Sequence, residues 1–152
     1  MINEKLEQLE ELNNQVEALK KELADTLLNA MLELVPVVTV TGCTPSFCDG
    51  DPCSYYQGIN YGMPEHIQEE YYEVKDDPEE LANFYENYPR WKEYQKPSKE
   101  VLAEFDQLVN FVEQADIDFR EYPAIGHDGF CATFELDANG SIEVEVEEHY
   151  CD

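Results

Sequence analysis

Apolar side chains return at a fixed interval at the start of the chain. Ile2, Leu9, Val16, Leu23 and Ala30 lie seven apart, and Leu12 and Leu19 follow Leu9 and Val16 by three. That spacing is the a/d seam of a coiled-coil helix. Leu6 and Leu27 widen the stripe at its two ends, while Lys5 and Thr26 weaken it. No Gly or Pro interrupts the pattern before Pro36, which predicts one helix over residues 2–34. Such a helix spans on the order of 50 Å at 1.5 Å per residue, more than a small domain covers. Its exposed stripe needs a second helix, from another copy or from later in this chain.

Past Pro36 the period changes. Val37-Val38-Thr39-Val40-Thr41 is β-branched and predicts a strand. A stretch dense in turn-formers runs from Gly42 to Cys53, and Tyr55 to Tyr61 predicts a second strand with a bulge at Gly58. The two strands would form a meander. From Pro64 to about Gln114 the pattern is helical in pieces, broken by Pro89 and Pro97. Pro64 and Pro78 suit first helical turns, with Glu65, Glu79 and Glu80 near the N-termini. After Ser98, an N-cap residue, Val101, Phe105, Leu108 and Val112 share one face, with Leu102 and Val109 beside them. Tyr71, Tyr72, Tyr85, Tyr88, Trp91 and Tyr94 form an aromatic cluster. Half-buried packing with hydroxyls reaching water is its simplest meaning, and an aromatic recognition surface is the alternative.

Phe130, Ala132, Phe134 and Leu136 alternate with polar residues, as do Ile142, Val144 and Val146. A three-residue loop, Ala138-Asn139-Gly140, would pair Leu136 with Ile142, Phe134 with Val144 and Ala132 with Val146, leaving every apolar side chain on one face. This predicts a type I turn with Gly140 in the left-handed bulge position. The opposite face carries Glu135, Glu143, Glu145 and Glu147, a solvated row of carboxylates. The elements together predict an α+β fold. A long coiled-coil-like helix (residues 1–34), serving oligomerisation, precedes one acidic domain (residues 35–152). That domain would hold an antiparallel sheet of about four strands, including the C-terminal hairpin, with two or three helices packed on it.

Charge changes the picture of the surface. The chain has 35 Asp and Glu against 9 Lys and Arg, a formal net charge of -26. With 43% hydrophobic and 12% aromatic residues it can still build a core, so disorder is excluded for most of it. A polyanionic coat repels phosphate backbones and anionic membranes, which excludes direct nucleic-acid binding. The absence of an apolar run of about 20 residues and of a signal peptide predicts a protein kept in the host cytoplasm. Five cysteines there are expected to be reduced, and their odd number argues against a closed disulfide framework.

Candidate chemistry is sparse. Cys43, Cys48 and Cys53 are evenly spaced, with His127, Cys131, His149 and Cys151 further on. Four residues between successive cysteines fit a zinc knuckle loosely, and thiols filling small gaps are the simpler account. Asp49-Gly50-Asp51 resembles a calcium loop only superficially, because the further oxygen ligands are missing. A sharp turn with Gly50 at positive φ explains it. His66, His127 and His149 sit in no nucleophile motif, and carboxylate pairs follow from composition alone. The sequence therefore predicts no catalytic residue, no metal, no cofactor and no enzyme.

The stretch from Thr41 to Cys53 resembles a motif in a family of uncharacterised tailed-phage proteins. Their pattern reads Tyr-Thr-Pro-Tyr-Phe-Asn-Asp-Gly-Asp-Pro-Cys after a strand. Thr44, Pro45, Phe47, Asp49, Gly50, Asp51, Pro52 and Cys53 match it, and Cys43 and Cys48 stand where it has Tyr and Asn. The resemblance implies a phage origin and a loop kept for fold or contact. Small, very acidic phage proteins often inhibit host defence proteins that bind nucleic acid, with carboxylates imitating phosphates in a basic groove. The expected contact residues are Glu65, Glu69, Glu70, Glu73, Asp76, Asp77, Glu79 and Glu80, offset by Lys75, together with Glu143, Glu145 and Glu147. The partner would be a basic protein surface, such as that of a host defence nuclease, and the chain a homodimer or higher oligomer through residues 2–34. The alternative is a homo-oligomeric scaffold whose charge serves solubility.

Overall fold

A computed structural model describes residues 1–45, 50–94 and 96–149, without the side chain of Glu65. Phe47, Cys48 and Asp49 of the motif loop, and Cys151, lie outside the described residues. The fold is α+β, in the order α1 (Ile2–Leu34), β1 (Val38–Cys43), β2 (Tyr56–Tyr61), α2 (Glu65–Val74), α3 (Pro78–Asn87), α4 (Lys99–Gln114), β3 (Phe130–Leu136) and β4 (Ile142–Glu148). Short 3-10 turns occupy Pro89–Trp91 and Phe119–Glu121. The strands form one antiparallel sheet in the order β2-β1-β3-β4.

Helix α1 ends because Pro36 forces the residue before it out of the helical region. Val35 is extended at φ -133 and ψ 148, with its N–H still donated to the Met31 carbonyl. Only the C-terminal part of α1 joins the core: Ala24, Leu27, Leu28, Met31 and Leu32 are buried, the spacing of one helical stripe. They pack with Val38 and Val40 of β1, Phe130, Ala132 and Phe134 of β3, and Phe105 and Val112 of α4. The sheet register sets large side chains against small ones, with Val40 opposite Ala132 and Ala132 opposite Val146. Gly42 belongs to this fit. A Cβ there would come within 2.6 Å of the Phe130 ring and would strike the Tyr55 hydroxyl.

The other face of the sheet carries a smaller cluster. Val37, Phe84 and Trp91 are its buried members, with Ile67, Tyr71, Val74, Leu81 and Tyr88 packed around them. The aromatic residues are thus mainly packing, in edge and tilted contacts such as Phe84–Tyr88 at 5.1 Å and Trp91–Tyr94 at 5.1 Å. Buried from both sides, β1 shows almost no solvent-facing position.

Four expectations need correction. Thr41 faces Gly58 in an unbroken register from Val38↔Tyr61 to Cys43↔Tyr56, so β2 has no bulge. Pro64 is the N-cap of α2 rather than a first-turn residue; only Pro78 takes a first-turn place, behind an Asp77 cap. Cys43 and Cys53 are disulfide-bonded, not reduced, since an odd total does not prevent some cysteines from pairing. Finally, the carboxylate row of the hairpin is not wholly solvated, because Glu135 is partly covered by Arg90. The hairpin register itself is as expected, with Leu136↔Ile142, Phe134↔Val144 and Ala132↔Val146. Gly140 stands at φ 80 and donates to the Asp137 carbonyl.

Candidate functional site: an acidic cleft on the outer sheet face

The alternation that buries Phe134 and half-buries Val144 turns Glu135, Glu143, Glu145 and Glu147 outward. Helix α2 reaches this face at its N-terminal end and the 3-10 turn after α3 reaches it at Arg90. His66 Nε2 lies 3.1 Å from Glu147 Oε2, and the Arg90 guanidinium donates to Glu135 at 2.6 Å. These two bridges frame a cleft of about 550 Å³, floored by Thr133, Glu145 and Glu147 and walled by Ile67, Tyr88 and Trp91. Asn87 and Tyr88 also line a second hollow of about 310 Å³, whose rim is Glu70, Glu73 and Glu80. The two hollows share that wall.

Two acidic stretches far apart in the sequence therefore converge. Tyr88 lines both hollows, and the interaction of its hydroxyl with the Glu70 carboxylate, with burial and the nearby Glu147, holds the phenol above its usual pKa. Tyr88 thus stands between the acids of the two stretches. The local cations are engaged: Arg90 by Glu135, and Lys75 by the ring of Tyr72 at 5.0 Å. Lys75 is the one Lys or Arg within residues 65–87, and residues 130–148 contain none.

The expected contact residues divide accordingly. Glu70, Glu73, Glu80, Glu145 and Glu147 line the cleft or its extension. Glu143 stands further along β4, in a shallow hollow with Glu135 and Glu145. Glu69, Asp76 and Glu79 are exposed and line neither part of the cleft. Asp77 is taken up by the helix, its Oδ1 accepting from the N–H groups of Glu79 and Glu80. His66, Tyr88, Arg90, Thr133 and Glu135 belong to the cleft but carry no local signal of it, because each arrives through tertiary packing.

The motif loop is held elsewhere. Thr44 donates to Asp128 at 2.5 Å, tying the end of β1 to the turn before β3. Gly50 has φ 90, as its turn requires, and Asp51, Pro52 and Cys53 lead toward β2. Pro45 precedes the part outside the described residues. Among the described residues, no three His, Cys, Asp or Glu converge in a group that could hold a metal ion. No helix among them is long and apolar enough to cross a membrane.

A second cleft, of about 560 Å³, separates α1 at Asn14–Ala24 from residues 117–123. It mixes Lys20 and Lys21 with Glu17 and Glu121, without a uniform field. Beside it Arg120 stacks on Tyr55 at 3.7 Å and forms an ion pair with Asp118 at 2.6 Å. The Arg120 hydrogen bond holds the Asp118 carboxyl below its usual range against the effect of burial. The acidic cleft, by contrast, is net negative: Arg90 offsets Glu135, while Glu145 and Glu147 remain, and the adjoining hollow adds Glu70, Glu73 and Glu80. The chain matches no family model, no curated protein and no solved structure.

Proposed function

We propose that this chain is a phage-type acidic binding protein that inhibits a host nucleic-acid-binding protein, such as a defence nuclease, by filling its basic groove. Carboxylates of the cleft and its rim take the place of phosphates. The observation that carries the reading is the convergence of the α2–α3 acids and the β4 acids around Tyr88. A concave surface of net negative charge focuses the field and speeds encounter with a cationic partner. The resemblance of Thr44 to Cys53 to the tailed-phage motif supplies the phage assignment. Its partner is in the host cytoplasm, where reducing conditions would open the disulfides of Cys43 and Cys53. Neither cysteine lines the cleft, so binding does not depend on them.

Capture from bacterial lysate on the immobilised protein tests the reading. Nucleic-acid-binding proteins should be retained at low salt, released at high salt and displaced by duplex DNA. Charge reversal at Glu70 and Glu73 should abolish capture, while alanine at Cys43 should not. Retention of no nucleic-acid-binding protein at either salt would overturn it.

A further inference from the structure

Residues 2–23 of α1 carry an apolar stripe that the rest of the chain leaves open. Leu6, Leu9, Leu12, Val16 and Leu19 are between 50% and 63% exposed, and Leu23 is 39% exposed. The body of the protein packs on another side of the helix, through Ala24, Leu27, Leu28, Met31 and Leu32. The stripe is therefore available along its length.

The placement of charge says what covers it. In the heptad with Ile2, Leu9, Val16 and Leu23 at a, the flanking e and g positions hold Leu6, Gln8, Asn13, Gln15, Lys20 and Glu22. Five of the six glutamates in residues 2–23 (Glu4, Glu7, Glu10, Glu11 and Glu17) fall instead at b, c and f, away from the seam. A basic partner would be gripped by acidic flanks, and this seam lacks them. A partner of the same negative sign needs them cleared, and they are. The partner that fits is another copy of the same chain.

Orientation follows from the same charges. A parallel pair would stack Lys5 on Lys5 and set two strongly acidic bodies side by side at one end. In an antiparallel pair, Leu9 faces Leu19 and Leu12 faces Val16 of the second copy. Lys5 then lies beside Leu23 and Glu22 of that copy, and the bodies leave at opposite ends. We infer that the Ile2–Leu23 stripe of α1 pairs with the same stripe of a second copy in an antiparallel two-helix coiled coil. This does not rest on the reading of the cleft, but it would display two clefts on one particle.

Sedimentation equilibrium of the full chain should give twice the monomer mass in the micromolar range. The dimer should tighten as salt rises, because screening relieves the like-charge bodies. Cleft binding should weaken over the same range, so the two ideas fail separately. The double substitution Leu12→Asp and Leu19→Asp should give a folded monomer whose melting temperature, unlike that of the wild type, does not depend on protein concentration, since both side chains are exposed in the single chain. Pyrene on the Met1 amine should show no excimer emission, because the two N-termini lie far apart. A monomeric wild type, a dimer that survives the double substitution, or a dimer with strong excimer emission would overturn the inference.

Discussion

His66 at the start of α2 and Glu147 on the last strand meet at 3.1 Å, with side chains 46% and 59% exposed. A contact so open to water, ionic only when His66 carries a proton, contributes at most about 1 kcal/mol. Glu147→Gln should therefore shift the urea midpoint very little, while removing one carboxylate from the cleft. Chemical denaturation of the variant beside a lysate-capture assay checks this. A large loss of stability would mean that Glu147 holds the fold and is not available to a partner.

The Tyr88 hydroxyl reports on the same convergence. Its pKa is raised first by its interaction with Glu70, with burial and Glu147 adding to it. Glu70→Gln replaces the charged acceptor with a neutral one, so Tyr88 should ionise at lower pH in the variant. Following its ring resonances by NMR through the alkaline range would show the direction. An unchanged midpoint would remove Glu70 from the wall of the cleft.

Gly42 is small because two aromatic groups lie over it. With the Phe130 ring 2.6 Å from where a Cβ would stand, Gly42→Ala must displace a buried ring that the core packs tightly. Overpacking of this kind costs roughly 1–3 kcal/mol. Thermal unfolding should show it, whereas Gly140→Ala would act through its left-handed backbone instead.

Asp118 should give the fold an acid-sensitive component. Its carboxyl is held below the usual range by the Arg120 hydrogen bond. A depressed folded-state pKa adds stability above the unfolded value of about 4 and loses it as pH falls through the folded value. Asp118→Asn should cost up to about 1 kcal/mol at neutral pH, the modest figure expected of a pair partly open to water. The difference from wild type should close below about pH 4. Denaturation curves at several pH values would reveal a gap that fails to narrow.

Local chemistry made much of the fold legible. Phe134 and Val144 share a face only in the register that a three-residue loop permits, and Gly140 supplies its left-handed residue. Ser98 caps α4, accepting from the Val101 N–H, because a hydroxyl there satisfies an unpaired donor. Asp77 ahead of Pro78 and Glu80 is equally legible as a cap, a role that takes it out of the contact acids. The end of α4 was less open to inspection. Asp116 takes φ 54, a place usually given to glycine, while Ile117 donates back to Val112. The sequence marks Glu70, Glu73, Glu80, Glu145 and Glu147 as acids, but not the cleft that gathers them. Glu70 and Glu147 meet around Tyr88 only after the sheet has formed and α2 has crossed its outer face, and a row of acids looks the same wherever it lands.

Among the described residues, the strand order leaves β4 at one border of the sheet, with no strand paired along its outer side. Such a border invites a neighbouring molecule to add its own strand. Glu143, Glu145 and Glu147 guard it, since a second β4 laid alongside would stack carboxylate upon carboxylate. The charge proposed to receive a cationic visitor thus also opposes polymerisation through the last strand.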